Sequence, residues 1–210
     1  MYRPPAFRED RPDVLHAAIR AYPLATLVTH GASGLAANLV PFTLAAEPGD
    51  RGVLRTHLAR ANPQLADLRD GVEALVIFQG PQAYVSPSWY PTKKEHGKVV
   101  PTWNYVIVQV WGTPKVVDDG DWLLAQISEL TSTHESNRAQ PWKVSDAPES
   151  YVAAQLRGIV GLEVPIARIE GKWKVSQNQP EQNQTGVIAG LRSEGFDDLA
   201  EIVLERTKVR

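Results

Sequence analysis

Between Tyr84 and Tyr105 the chain reads YVSPSWYPTKKEHGKVVPTWNY, a composition suited to a binding surface more than to an aliphatic core. Tyr84, Trp89, Tyr90, Trp103 and Tyr105 are interleaved with Ser86, Ser88, Thr102 and Asn104. Aromatic rings can wall a planar ligand while hydroxyl and amide groups meet its polar edge. Tryptophan and tyrosine are equally enriched at subunit interfaces, so a dimer interface or a hydrophobic lid is the competing reading. A binding site built at a subunit interface satisfies both. Single-stranded nucleic acid also stacks on aromatics, but from a basic groove. Here Lys93, Lys94 and Lys98 stand with Glu95 among them, which ranks nucleic acid below a small planar cofactor.

Two further clusters carry usable polar groups. In RTHLARANPQ, Arg55 to Gln64, a strand ends in a turn bearing Thr56, His57, Arg60 and Asn62, and a helix begins directly after it. A helix N-terminus offers free N–H groups and a positive dipole end, and an arginine adds a bidentate grip on phosphate. The competing reading is a surface turn capped by Asn62. In GKWKVSQNQPEQNQ, Gly171 to Gln184, Lys172, Gln177 and Asn178 belong to a dense set of donors and acceptors, with an exposed polar loop as the alternative. His16, His30, His57, His96 and His134 show no metal-ligand spacing. No G-x-S-x-G elbow, P-loop or G-x-G-x-x-G motif occurs, and no acidic pair suggests glycosidase chemistry. A self-sufficient catalytic machine is not visible.

The elements that must position these residues follow from the pattern of the chain. Its 210 residues are 43% apolar and 22% charged, enough for one large domain with a real core. With 22 basic and 24 acidic residues, the net charge of −2 argues against a protein built to grip phosphate backbones. Cysteine is absent, which excludes disulfides and thiolate chemistry. Without a signal-peptide core or a membrane-length apolar run, a soluble cytoplasmic protein is expected. A helix is predicted from about Asp10, with Pro12 in its first turn, ending at Pro23. Strands are predicted over 24–30 and 35–45 around the turn GASG, over 52–58 after the turn EPGDRG, and over 72–80. Gly80-Pro81 reads as a tight turn before QAYVS, and Pro41 as an edge or bulge residue. A short helix over 62–70, with Asn62 as N-cap, lies between the last two of these strands. Strand periodicity returns at 104–117, bent near Gly112, and at 159–175, with helices over 121–135 and 145–158 between them. Two short helices broken at Gly195 close the chain. Six or seven strands joined by short turns predict an antiparallel barrel with peripheral helices in a single unit over 1–210, with a helical tail at about 180–210.

Six stretches in order, MYRPPAF, THLARANPQ, VIFQGPQAYVSPSWY, VPTWNYVIVQVWG, GIVGLEV and KVSQNQ, carry a resemblance across nearly the whole chain. The sequence resembles the PaiB-like family of FMN-binding negative transcriptional regulators. The fold this implies is mainly β (α+β), a six- to seven-stranded antiparallel split β-barrel related to pyridoxamine phosphate oxidases. The resemblance further implies a homodimer with FMN at the subunit interface. By that analogy Thr56, His57, Arg60 and Asn62 lie on the phosphate side, while Asn38, Leu39 and Val40 run beside the isoalloxazine ring. The partner subunit would supply Ser86, Ser88 and Trp89, then Trp103, Asn104 and Tyr105, and also Lys172, Gln177 and Asn178. With Arg60 as the one firm cation, such a site would hold the phosphate weakly and lose FMN on purification. PTKKEHGK would be a flexible charged insert, a lid before VPTWNY. The family reading makes DNA or a transcription factor the partner, although neither a helix-turn-helix nor a basic face is present. The alternatives are an FMN-dependent oxidoreductase or flavin reductase, in which the flavin carries the chemistry, and a haem or other planar-ligand protein with His57 or His96 as axial ligand.

Overall fold

A computed structural model describes residues 1–32, 34–47 and 50–208. Ser33 of the GASG turn and Pro48 and Gly49 of the EPGDRG turn lie outside the described residues. The chain opens with β1 (Arg8–Glu9) and α1 (Pro12–Ala21), followed by β2 (Leu24–Gly31), β3 (Gly34–Pro41), β4 (Thr43–Ala45) and β5 (Val53–Ala59). Helix α2 (Leu65–Arg69) leads to β6 (Ala74–Val85), a short α3 (Thr92–His96) and β7 (Thr102–Gly112). After β8 (Lys115–Val117) come α4 (Gly120–Glu135), α5 (Glu149–Arg157), β9 (Ile159–Pro165) and β10 (Arg168–Lys174). Helices α6 (Glu181–Ser193) and α7 (Asp197–Lys208) close the chain. No helix among the described residues is long and apolar enough to cross a membrane.

The strands form two antiparallel sheets, of order β1-β10-β7-β6-β2-β3 and β4-β5-β9-β8. Among the described residues ten strands replace the six or seven expected, and the difference has local causes. The 35–45 run breaks at Phe42, so that β3 belongs to one sheet and β4 to the other. Pro41 is the last residue of β3, an edge strand, where its missing N–H leaves no ladder bond unmade. The 104–117 run breaks after Gly112, where any Cβ would run into the Pro165 carbonyl oxygen. The 159–175 run breaks between Pro165 and Arg168. Gly80-Pro81 makes no turn: β6 runs through both residues for 12 residues in all. The predicted helix over 145–158 is shorter than expected, since Val144–Asp146 forms a 3-10 turn and α5 starts only at Glu149.

The chain divides into two compact units. One comprises His16–Phe78 and Gln109–Ile169, the other Met1–Leu15, Gln79–Val108 and Glu170–Arg210. The first holds the β2–β3 hairpin, in register from Leu24↔Pro41 to His30↔Leu35, and the whole four-stranded sheet. Its core is built on Leu27, Leu54, Val76 and Leu162, all without solvent contact, and on Phe42 edge-to-face with Phe78 at 5.9 Å. In the second unit Val85, Val106, Val175, Val187, Leu191 and Leu199 are buried, and α6 packs beside α7.

The second unit is fastened by Glu9, which is 3% exposed. Its carboxylate accepts from the Arg11 backbone N–H at 2.9 Å and from Arg11 Nε at 3.0 Å, and pairs with Arg206 of α7 at 2.6 Å. Burial pushes this carboxyl upward, but the Arg11 hydrogen bonds and the Arg206 pairing outweigh it and bring Glu9 from 4.5 to about 2. A carboxyl depressed in the folded state stabilises fully above its unfolded value and loses that contribution as pH falls through the folded one. Glu9→Gln is therefore expected to cost on the order of 2–3 kcal/mol at neutral pH, measured by urea unfolding. The gap to wild type should close between about pH 5 and pH 2, and a gap independent of pH would refute the role of the charge.

Candidate functional site

In the first unit, the residues expected on the phosphate side each have a separate internal partner. Thr56 is fully buried and donates its hydroxyl to the Pro41 carbonyl at 2.6 Å, where the chain switches sheets. His57 Nδ1 lies 2.8 Å from Gln126 Oε1 on α4. Arg60 engages Asp118 through both Nη atoms at 2.8 and 2.7 Å and donates to the carbonyls of Arg157 and Ile159. That hydrogen bonding holds the Asp118 carboxyl below the usual carboxylate range. Asn62 does not cap the helix from its first position. Its Oδ1 accepts from Gln64 N at 3.0 Å, one residue before a helix that starts only at Leu65. The next two N–H groups are taken by Asn62 O and Pro63 O, so the turn leaves no row of free donors.

Asn38 belongs to a different cluster of the same unit. Its amide donates to Gln64 Oε1 at 2.8 Å, and Gln64 Nε2 reaches Leu27 O and Thr29 Oγ1, both at 3.2 Å. Thr29 in turn donates to Asp67 at 2.8 Å. This network ties the β2–β3 hairpin to α2. Strand alternation then buries Val40 and turns Leu39 outward, at 64% exposure.

In the second unit the structure separates residues that the sequence placed together. Asn104 is completely buried: its Nδ2 donates to Ser176 Oγ at 3.0 Å, and Ser176 donates back to Asn104 Oδ1 at 3.1 Å. With Asn104 inward, alternation along β7 turns Trp103 and Tyr105 to the other face. Trp103 is half exposed and meets Tyr84 edge-to-face at 6.0 Å. The period of KWK puts Lys172 and Lys174 on one face of β10. Lys172 Nζ lies 5.3 Å from the Tyr105 ring and 5.7 Å from that of Tyr2. Lys174 donates to the Trp103 carbonyl at 2.6 Å and to Thr102 Oγ1. Burial first, and the Lys172 charge second, push the Lys174 ammonium toward lower pKa. Neither lysine has a carboxylate partner among the described residues. Lys174 falls inside the expected stretch Lys172 to Asn178, and its spacing from Lys172 announces a shared face.

The other expected contacts support the frame. Ser86 and Ser88 hydroxyls bond each other at 2.5 Å in the 3-10 turn Pro87–Trp89. The Trp89 ring lies on α6, where Gly190 has no room for a Cβ. Gln177 bridges its own turn, accepting from Val175 N and donating to Trp173 O, while Asn178 is exposed. PTKKEHGK is pinned rather than loose: Thr92 donates to Asn183 at 3.0 Å and Gln182 to Glu95 at 3.1 Å. No group of acidic residues and histidines among the described residues is arranged to hold a metal ion.

Two antiparallel sheets with peripheral helices define a mixed α+β protein of the split-barrel class. An FAD and haem binding protein from Mycobacterium smegmatis shares this fold, with a TM-score of 0.58 at 18% identity over 80% of this chain and 73% of that one. Residues 1–168 match the family described as "Putative FMN-binding domain", and the chain belongs to that family. It is 36% identical over 248 aligned residues to the uncharacterized protein AN0679 of Emericella nidulans, covering 100% of this chain and 99% of the relative. It is also 30% identical over 162 residues to the protease synthase and sporulation protein PAI 2 of Bacillus subtilis, covering 76% of this chain and 75% of that protein. The PaiB-like resemblance carried by the motifs therefore holds.

Adjacent residues of β7 should separate experimentally. Asn104→Ala strands the buried Ser176 hydroxyl and is expected to cost about 2 kcal/mol in chemical denaturation. Trp103→Ala, at a half-exposed position, should cost about 1 kcal/mol or less. Equal losses would contradict the inward and outward placement of the two side chains.

Proposed function

We propose that the chain is a homodimeric, PaiB-like FMN-binding protein acting as a negative regulator or flavin sensor in transcription. The observation that carries this reading is the exposed face on which Trp103, Tyr105 and Tyr84 accompany Lys172 and Lys174. A flavin needs flat apolar walls, donors at a polar ring edge and a counter-charge for its phosphate. The aromatic residues can meet the first need, and two lysines without carboxylate partners can meet the others. A bound flavin supplies the redox chemistry itself; the residues named here bind and orient it. Lys174 is already partly desolvated, so an anion placed against it would relieve the penalty now carried by its ammonium.

Support for the homodimer comes from β3. Leu35 and Leu39 are 78% and 64% exposed on this edge strand, and Leu24 on the neighbouring β2 is 54% exposed. Monomers seldom leave such an apolar edge uncovered, and a second copy of the same strand face is a suitable cover. The regulatory role rests on kinship with the Bacillus protease synthase and sporulation protein. A net charge of −2 favours a transcription factor over bare DNA as partner.

Titration of the purified chain with FMN, followed by flavin fluorescence, should show one flavin per chain, and light scattering should give a dimer. Trp103→Ala and Lys174→Met should each weaken FMN by about tenfold or more. Leu39→Glu should shift the protein to monomer. Because the Lys174 pKa is lowered, FMN affinity should fall at a less alkaline pH than an ordinary lysine would give, and Lys174→Met should abolish that dependence. A dimer that binds no flavin, or variants with unchanged affinity, would overturn the assignment. Steady oxidation of NADPH by the FMN-loaded protein would favour the oxidoreductase reading instead.

A further inference from the structure

Thr102 opens β7 and Lys174 ends β10, two neighbouring strands of the six-stranded sheet within the second unit. Lys174 Nζ reaches the Trp103 carbonyl at 2.6 Å and Thr102 Oγ1. Two residues further along each segment, Asn104 and Ser176 close their reciprocal buried pair, which holds the two segments together. Thr102 and Lys174 are both half-buried, so this corner is fixed in place and still open to a ligand.

The hydrogen bonds set the polarity of the corner. An ammonium has three donors and no acceptor, so Thr102 Oγ1 is the acceptor in its bond with Lys174. The Thr102 O–H must then point away from Lys174, and it meets no acceptor among the described residues. One N–H of Lys174 is likewise unspent after the bonds to Thr102 and Trp103. The corner thus presents two donors and a full positive charge, while the nearby Thr102 and Trp103 oxygens are taken up by the ammonium. Burial, and after it the Lys172 charge, already act against that ammonium. Lys172 is placed otherwise, its Nζ lying near the rings of Tyr2 and Tyr105.

A flavin mononucleotide offers two kinds of polar group to such a corner. The pyrimidine edge of its ring alternates carbonyl acceptors with an N–H donor, and so calls for an acceptor between donors. A phosphate is an anion that only accepts, and charge-assisted bonds to it are the strong ones. We propose that Thr102 and Lys174 together seat the phosphate of the ligand, and that the Thr102 hydroxyl makes the site prefer a phosphorylated flavin. The inference rests on the flavin reading and names the residues that hold one group of that ligand. It moves the phosphate away from the turn where the resemblance placed it, because Arg60 there is already engaged by Asp118.

The test compares FMN with riboflavin, which has the same ring and no phosphate. Fluorescence titration of the full chain should give FMN tighter than riboflavin by about tenfold or more. Thr102→Val keeps the branched shape and removes the hydroxyl. It should weaken FMN by about tenfold and leave riboflavin nearly unchanged. Thr102→Ser restores a hydroxyl and should bind FMN like wild type. Inorganic phosphate should displace FMN from the wild-type chain and leave riboflavin bound. Melting temperatures check the fold of both variants, and the phosphate competition decides the matter should valine unfold the chain. Equal losses of FMN and riboflavin in Thr102→Val would overturn the proposal, since they would make Thr102 a support of the ring site. So would wild-type FMN affinity in that variant, equal affinity of the wild type for both flavins, or phosphate that fails to displace FMN. Each of those outcomes leaves the flavin reading standing. Absence of binding by both flavins to the wild-type chain would remove that reading, and the proposal would fall with it.

Discussion

The arrangement of the lysine and aromatic face depends on the reciprocal pair between Asn104 and Ser176. A buried amide has donors and an acceptor that must be met, and here one hydroxyl answers both. The pair fixes which face of β7 points inward, so Trp103 and Tyr105 must face outward. It also fixes the turn that leads from β10 toward α6. Ser176 adopts φ 65°, the one positive φ outside glycine among the described residues. Such a conformation is costly for a residue with a Cβ, and it persists where surrounding bonds determine it. The bonds to Asn104, together with the Gln177 bridge around Val175 and Trp173, provide that determination. One buried hydrogen-bonded pair thereby sets the direction of two aromatic side chains and the exit of β10 past its two lysines.

Much of the fold is legible from periodicity and turn residues. The β2–β3 hairpin, the α1 and α4 helices and the closing helical pair fall where alternation, helical spacing and proline place them. Strand breaks are less visible, because a chain that passes from one sheet to another keeps its alternation. Phe42 reads as one more apolar strand residue, yet β3 and β4 on either side of it belong to different sheets. Gly80-Pro81 illustrates the opposite error. The pair has turn composition, but turn preference is weak beside sheet pairing, and β6 continues through it.

The polar and aromatic clusters were legible in the sequence, their partners only in part. A sequence shows that Thr56, His57, Arg60 and Asn62 are close together, and it cannot show that Asp118, Gln126 and Pro41 come from elsewhere to meet them. Each of those contacts spans residues far apart in the chain, and each converts an available polar group into a structural one. Trp89 likewise reads as a ligand wall until Gly190 brings α6 against its ring. Local composition therefore reports the chemistry a segment owns, while tertiary contacts decide how much of it remains free.

That distinction bears directly on where an anion can be held. Arginines of this chain serve repeatedly as internal clasps: Arg11 and Arg206 on Glu9, Arg55 on Glu163, Arg60 on Asp118. A guanidinium engaged by a carboxylate offers an incoming anion little, because binding must first give up a bidentate pair. Lys172 and Lys174 differ in kind. Their neighbours are carbonyl, hydroxyl and aromatic groups, which solvate an ammonium without neutralising it. Lys172 and Lys174, side by side on one face of β10, form a local positive site. The charge and the aromatic composition therefore coincide on one face, through lysines whose charge no carboxylate among the described residues neutralises.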